Sequence, residues 1–304
     1  VHLVTFARDG EPRLGALEGG TVFDLNALDG SLPADMLGLI RAGTAGLASA
    51  RAAVASGRRR MGAGEERALA AAGQGFPVAA VRLLSPIPRP AKNIVCLGRN
   101  YVAHARERGA EPPGHPVFFT KPPTAVIGPE AEILADGLTQ QLDFEVELAV
   151  VIGAEGKNIG PEDAFNHIFG YTILNDVTAR DLQKTHQQWF KGKSLDTFCP
   201  LGPAIVTAET FPDPHAVDIR MRVNGEVRQA SNTSKMIFDI PTLVSVLSRG
   251  MTLWPGDIIA TGTPEGVGAA DGRYLKPGDL LEAEVEGIGV LRNRVARVGE
   301  GEGG

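Results

Sequence analysis

Glu145 and Glu147 stand two residues apart in the run LDFEVELAVVIG. On a β-strand that spacing sends both carboxylates from one face, while Phe144, Val146 and Leu148 point from the other. Two acids in one small volume raise each other's pKa or require a cation, and a divalent metal relieves the repulsion directly. An ordinary amphipathic strand with an acidic solvent face shows the same spacing, so the pair alone decides little. A third acid stands in FGYTILNDVTARD, where an apolar strand ends at Asn175-Asp176 and passes into a polar, helical segment. Strand ends hold catalytic side chains at the rim of a core, although an aspartate there also serves as a plain helix N-cap. Two glutamates and an aspartate with no His or Cys nearby form an oxygen-only donor set, which suits Mg²⁺ or Mn²⁺ and disfavours zinc.

Three further segments carry chemistry-bearing residues. In GRNYVAHARERG, His104 and Glu107 are three apart in a segment of helical composition, so a carboxylate can orient an imidazole as a general base; an exposed pair on a polar helix looks the same. In QWFKGKSLDTFCP, Gly192-Lys193-Ser194 suggests a phosphate loop, but the glycine that pattern needs five residues earlier is Gln187, so a nucleotide site is excluded. Lys193 is left either as a cleft electrophile for an enolate or carboxylate, or as a surface lysine. In LWPGDIIATGTPEGVG a strand opens into the glycine-rich loop 262–268, whose backbone N–H groups and Thr263 hydroxyl can approach a ligand or merely turn the chain.

The elements that must position these groups are legible in outline. Residues 1 to about 26 read as a β-meander, with VHLVTF, LGALE and TVFDL separated by the turn signals Asp9-Gly10 and Gly19-Gly20. Pro33 to Arg60 reads as a helical stretch, and Met61 to Gln74 as a weak helix or linker. Strand character returns at Phe76 to Leu84. Strand-like runs then alternate with Gly/Pro turns to the C-terminus. This predicts a strand-rich α+β protein with a small N-terminal α+β domain over 1–80, a mostly β catalytic domain over 81–298 and a flexible tail over 299–304.

Composition excludes several partners. A net charge of −6 repels a phosphate backbone, so no nucleic acid is expected. Only Cys96 and Cys199 occur in 304 residues, which fits a reducing compartment and gives neither a disulfide framework nor a zinc spacing; both read as core residues. No run is apolar and long enough to cross a bilayer, and Asp9, Glu11 and Glu18 fall where a secretory segment would be apolar. A soluble, cytoplasmic protein with no membrane partner is the expectation.

Taken together and in order, GRNYVAHARE, FFTKPPTAVIGP, DFEVELAVVIG, GYTILNDVTARDLQ, KGKSLDTFCPLGP and PGDIIATGTPEGVG followed by LKPGDLLEAEVEGIG resemble the fumarylacetoacetate hydrolase family, over residues 92 to 295. The resemblance is closest to its bacterial branch of acylpyruvate hydrolases, hydroxyheptadienedioate isomerases and oxaloacetate decarboxylases. It implies a mixed β-roll catalytic domain, usually a homodimer, with Mg²⁺ or Mn²⁺ held by Glu145, Glu147 and Asp176. It further implies catalytic roles for His104 and Glu107 on a lid and for Lys193, and substrate or supporting contacts from Arg180, Gln183, Lys121 and Thr263. The CLGRNY segment lacks the extra metal-ligating aspartate of the larger eukaryotic hydrolases, which favours a small substrate. The expected activity is metal-dependent hydrolysis of a C–C bond in a β-diketo, acylpyruvate-type acid, giving pyruvate and a carboxylic acid, as in aromatic catabolism. The alternatives on the same site are a 2-hydroxyhepta-2,4-diene-1,7-dioate isomerase or an oxaloacetate-type decarboxylase, with a non-catalytic ligand-binding protein further behind.

Overall fold

The computed structural model of the chain describes residues 1–8, 10–135 and 137–297. Asp9 of the first turn signal, Val298 and the expected tail at 299–304 lie outside the described residues. The architecture is strand-rich α+β with mixed sheets. A twelve-stranded sheet runs in the order Gly75–Pro77, Thr21–Asp24, Glu11–Glu18, His2–Arg8, Cys199–Thr207, Ile168–Asn175, Val146–Ile152, Ile258–Ala260, Ile94–Gly98, Val117–Lys121, with two short strands off this path. Neighbours are antiparallel except where Ile258–Ala260 meets Ile94–Gly98 and where Val126–Ile127 meets Cys199–Thr207. A second, five-stranded sheet runs Glu226–Asn232, Asp218–Val223, Leu280–Val285, Gly289–Arg297, Glu132–Ala135.

Period-two alternation along the central strand decides what each face meets. Phe144, Val146, Leu148 and Val150 join Ile219, Met221, Leu281 and Ala283 of the second sheet in one apolar core. The opposite face, carrying Ala149 and Val151, joins Ile94, Cys96 and Ala260 and the N-terminal residues Leu39, Ile40, Ala50 and Val54 in another. Glu147 belongs to this second face, and Glu145 stands one residue before the strand Val146–Ile152 begins.

The meander forms as strands His2–Arg8, Glu11–Glu18 and Thr21–Asp24, and its first strand pairs directly with Cys199–Thr207. The stretch read as helical comprises two helices, Met36–Arg41 and Gly43–Gly62, because the Ala42 N–H closes the first onto Gly38 and Ile40 before Gly43 opens the next. Residues 75–84 likewise split, into Gly75–Pro77, a 3₁₀ turn and Arg82–Leu84.

Cys96 and Cys199 are free and buried. Burial, with the charges of Asp176 and Glu147 adding to it, pushes the Cys96 thiol well above its ordinary value. Burial pushes Cys199 up to about 12. Thiolate is the reactive form, so neither cysteine is expected to react with iodoacetamide near neutral pH in the folded protein. Mass spectrometry should find both alkylated only after denaturation; native labelling of either would contradict the packing described here.

Candidate active site

Backbone pairing brings the three acids together. Val146 lies opposite Asn175 in the antiparallel register of the two central strands. One residue further, the Asp176 N–H donates to the Glu145 carbonyl at 2.8 Å, and the Glu145 N–H donates to Asn175 Oδ1 at 3.0 Å. Asp176 is therefore a strand-end residue; the helix that follows, Arg180–Thr185, has Ala179 as its N-cap. One carboxylate oxygen from each of Glu145, Glu147 and Asp176 lies within 4.8 Å of the others, and all three residues are buried. Three hard oxygen donors at this separation can hold a divalent cation of the Mg²⁺ or Mn²⁺ kind and leave positions open for a ligand.

Cations surround two of the three acids. Lys193 Nζ donates to Glu145 Oε2 at 2.7 Å and to Asp176 Oδ2 at 2.6 Å, while Lys121 Nζ donates to Asp176 Oδ1 at 2.5 Å and to the Val177 carbonyl. Arg180 forks between Glu145 Oε1 at 2.6 Å and Asp143 Oδ2 at 2.8 Å. Burial alone would raise Glu145, but Lys193 and Arg180, with His104 behind them, outweigh it and hold this carboxyl below the usual carboxylate range. Glu147 goes the other way. Burial and the charges of Asp176 and Glu145 push it well above that range, and its hydrogen bond is the Gly262 N–H at 2.8 Å. Burial would lower Lys193; Asp176 and Glu145 overcome it, so its ammonium is held above the ordinary lysine value.

His104 is buried on the helix Val102–Glu107, and its Nδ1 lies 2.8 Å from Glu107 Oε1. The other oxygen of Glu107 accepts the Gly266 N–H at 2.9 Å. An ionised carboxylate only accepts, so Nδ1 carries the hydrogen and Nε2 is left as a base. The glycine-rich loop thus serves both groups, with Gly262 on Glu147 and Gly266 on Glu107. Both glycines have positive φ, 94° and 99°, and a Cβ on Gly266 would sit 2.1 Å from the Arg228 carbonyl oxygen. Asn100 anchors the chain just ahead of this helix through bonds to Thr261 and to both backbone groups of Phe238.

A cavity of about 270 Å³ opens over the cluster, and His104, Glu145, Arg180, Gln183, Lys193 and Thr263 line it. Lys121 is fully buried on the far side of Asp176 and does not line it. Thr263 reaches the cavity with its hydroxyl already engaged, donating to the Val146 carbonyl and accepting from Gln229. A larger cavity of about 930 Å³ near Arg228 and Tyr274 contains no member of the acidic cluster, so chemistry rather than volume marks the site. Asp143 was not singled out by the sequence reading, yet it is fully buried and ties Arg180 to the N–H groups of Gly268 and Ala269. Its signal was present in the spacing, since Asp143, Glu145 and Glu147 stand two apart in DFEVE, although the chain leaves the strand between Asp143 and Val146. Gln229 and Asn100 carried no such signal, since their partners lie far away in sequence.

Fold and cluster together define a class: strand-rich α+β proteins with a buried, oxygen-only pocket able to hold a divalent cation at the rim of a mixed sheet. Residues 93–296 match the family model described as fumarylacetoacetate (FAA) hydrolase C-terminal. The chain belongs to the fumarylacetoacetate hydrolase family. It is 50% identical over 226 residues to the oxaloacetate tautomerase YisK of Bacillus subtilis (strain 168), covering 72% of this chain and 75% of that one. It is 43% identical over 290 residues to the mitochondrial oxaloacetate tautomerase FAHD2A of Bos taurus, covering 93% and 87%. Among solved structures it is similar to the fumarylacetoacetate hydrolase EaFAH of Exiguobacterium antarcticum, with TM-score 0.79 at 40% identity over 97% of this chain and 99% of that one. It is also similar to maleylpyruvate hydrolase of Sphingobium sp. SYK-6 in complex with manganese(II) and pyruvate, with TM-score 0.75 at 33% identity over 98% and 99%. No helix among the described residues is long and apolar enough to cross a membrane.

Proposed function

We propose that this chain is a divalent-metal-dependent enzyme that forms the enolate of a small 2-oxo acid, and that its reaction is the keto–enol tautomerisation of an oxaloacetate-type acid. The observation that carries this reading is the convergence of Glu145, Glu147 and Asp176 within 4.8 Å, beside a cavity also lined by His104 and Lys193. Sequence reasoning ranked C–C hydrolysis first; the relatives at 50% and 43% identity, both oxaloacetate tautomerases, move the weight to tautomerisation. Hydrolysis of an acylpyruvate is the second reading, supported by the similarity to maleylpyruvate hydrolase.

Glu145, Glu147 and Asp176 would hold Mg²⁺ or Mn²⁺, which supplies Lewis acidity for the 2-oxo carboxylate and its enolate oxygen. The chain's own residues supply the rest. His104 takes the proton from C3 at Nε2, with Glu107 fixing the ring through Nδ1. Lys193 stays charged and donates to the developing oxyanion, and a proton returned to that oxygen completes an isomerisation in which no atom is gained or lost. Arg180 and Gln183 hold the carboxylate end of the substrate, while Lys121 positions Asp176 from behind. In hydrolysis the same base would activate water instead. The homodimer and the division into 1–80 and 81–298 belong to this proposal and rest on the family resemblance. A cytoplasmic location belongs to it as well; FAHD2A is mitochondrial.

The test is chelator-stripped protein reloaded with Mn²⁺ or Mg²⁺, assayed for decay of enol-oxaloacetate absorbance and, separately, for pyruvate release from an acylpyruvate. Metal-restored tautomerisation is the expected result. Metal-restored pyruvate release without it would select the second reading, and neither activity in metal-loaded protein would overturn both.

A further inference from the structure

One wall of the active-site cavity is a row of two rings with a cation at each end. Lys193 Nζ lies 5.1 Å from the ring centroid of Phe119. Phe119 meets Trp189 edge-on at 5.5 Å. The guanidinium of Arg99 lies 5.4 Å from the Trp189 centroid. Lys193 is engaged with Glu145 and Asp176, whereas Arg99 has no carboxylate partner among the described residues and is half-buried at the other end.

The backbone is committed to this arrangement. Arg99 sits at φ 60°, a left-handed conformation that a residue with a side chain keeps only where its surroundings hold it. Asn100 provides that hold on one side. On the other, a Cβ on Gly98 would fall 2.3 Å from Cζ3 of Trp189, so the indole lies directly against the chain that carries Arg99. The cavity lining is also unbalanced. Among the described residues it includes Arg99, Arg108, Arg180, Lys184 and Lys193 but, of carboxylates, only Glu145. An acyl tail of hydrocarbon would desolvate the unpaired cations for nothing, while a second carboxylate would satisfy them.

We propose that Arg99, stacked on Trp189, binds the far carboxylate of a 2-oxo dicarboxylic acid, with Phe119 and Trp189 setting its distance from Lys193. Arg99 is thus a specificity-determining residue. The assignment rests on the 2-oxo acid reading above and deepens it. Arg108 already donates to the Ala269 carbonyl, and Lys184 is exposed with no ring against it among the described residues, so each is less well fixed for this task.

The experiment compares two ligands by isothermal titration of Mn²⁺-loaded protein: oxaloacetate, which has the far carboxylate, and oxalate, which lacks it. Arg99→Gln is expected to raise the Kd for oxaloacetate roughly tenfold or more, since a charge-assisted pair is lost, and to leave oxalate within about twofold. Arg99→Lys keeps the charge but not the planar stack and should fall between the two. Trp189→Leu should show the same selective loss without touching a charge. Equal loss for both ligands, or no loss for either, overturns the assignment. Because the readout is binding, wild-type protein that binds oxaloacetate but does not tautomerise it refutes the reaction reading and leaves this one standing.

Discussion

Asp176→Asn is expected to abolish Mn²⁺ binding and to destabilise the chelator-treated protein by about 3–5 kcal/mol, the range for removing one partner of a buried ion pair. The reason is specific to this aspartate. Its two oxygens receive two different buried ammonium groups, Lys121 on Oδ1 and Lys193 on Oδ2, and both residues are 2% exposed or less. An amide would turn its own N–H groups toward one of them. Glu147→Gln should behave differently. Glu147 touches no cation among the described residues, and burial beside Asp176 and Glu145 already favours its protonated form. The amide is close to isosteric with that form, so the metal-free variant should stay within about 1 kcal/mol of wild type yet also fail to bind Mn²⁺. Since the folded-state pKa of Glu147 is raised, the stability it contributes is present below the ordinary glutamate range and is lost as pH rises through the elevated value. Urea denaturation of chelator-treated wild type should show that loss, and Glu147→Gln should not. Equal destabilisation by the two substitutions would refute this division of roles.

His104→Ala should lower kcat for tautomerisation by about a hundredfold to ten-thousandfold while leaving Mn²⁺ and oxalate affinities near wild type, because a positioned general base contributes on that scale and binds neither ligand. Glu107→Gln should cost less. One amide oxygen can still accept from His104 Nδ1, but the amide nitrogen would then face the Gly266 N–H, donor against donor. Stopped-flow rates with titration calorimetry on the same preparations separate these effects. A His104→Ala enzyme within a fewfold of wild type would show that another group moves the proton.

The site was readable in the sequence to the extent that strand periodicity determines it. Glu145 and Glu147 leave one face because alternate side chains must, and the apolar partners Phe144, Val146 and Leu148 do enter the core between the sheets. The alternation would also have exposed Asp143. What periodicity cannot reveal is pairing at long range. Lys121 is 55 residues from Asp176, and nothing local distinguishes it from a surface lysine at a strand end. The His104–Glu107 pair was ambiguous for the same reason. His104 and Glu107 fit any polar helix, and only the docking of Glu107 on Gly266, 159 residues away, fixes the carboxylate against a buried imidazole. The helical stretch expected over 33–60 does form, but it is divided at Ala42-Gly43, where a local backbone closure interrupts a continuous Ala/Leu composition.

The loop 262–268 has a consequence for engineering. Its amides reach Glu147, Glu107 and Asp143 at once, with Gly262, Gly266 and Gly268 as the three donors. A single hairpin-sized template therefore sets the positions of one acid of the cluster, the carboxylate that orients His104 and the aspartate that ties Arg180, much as a machinist's jig locates several holes from one edge. Designers who wish to retarget the enzyme should graft new walls elsewhere and copy this template unaltered, since a shift of its backbone would misalign all three stations together.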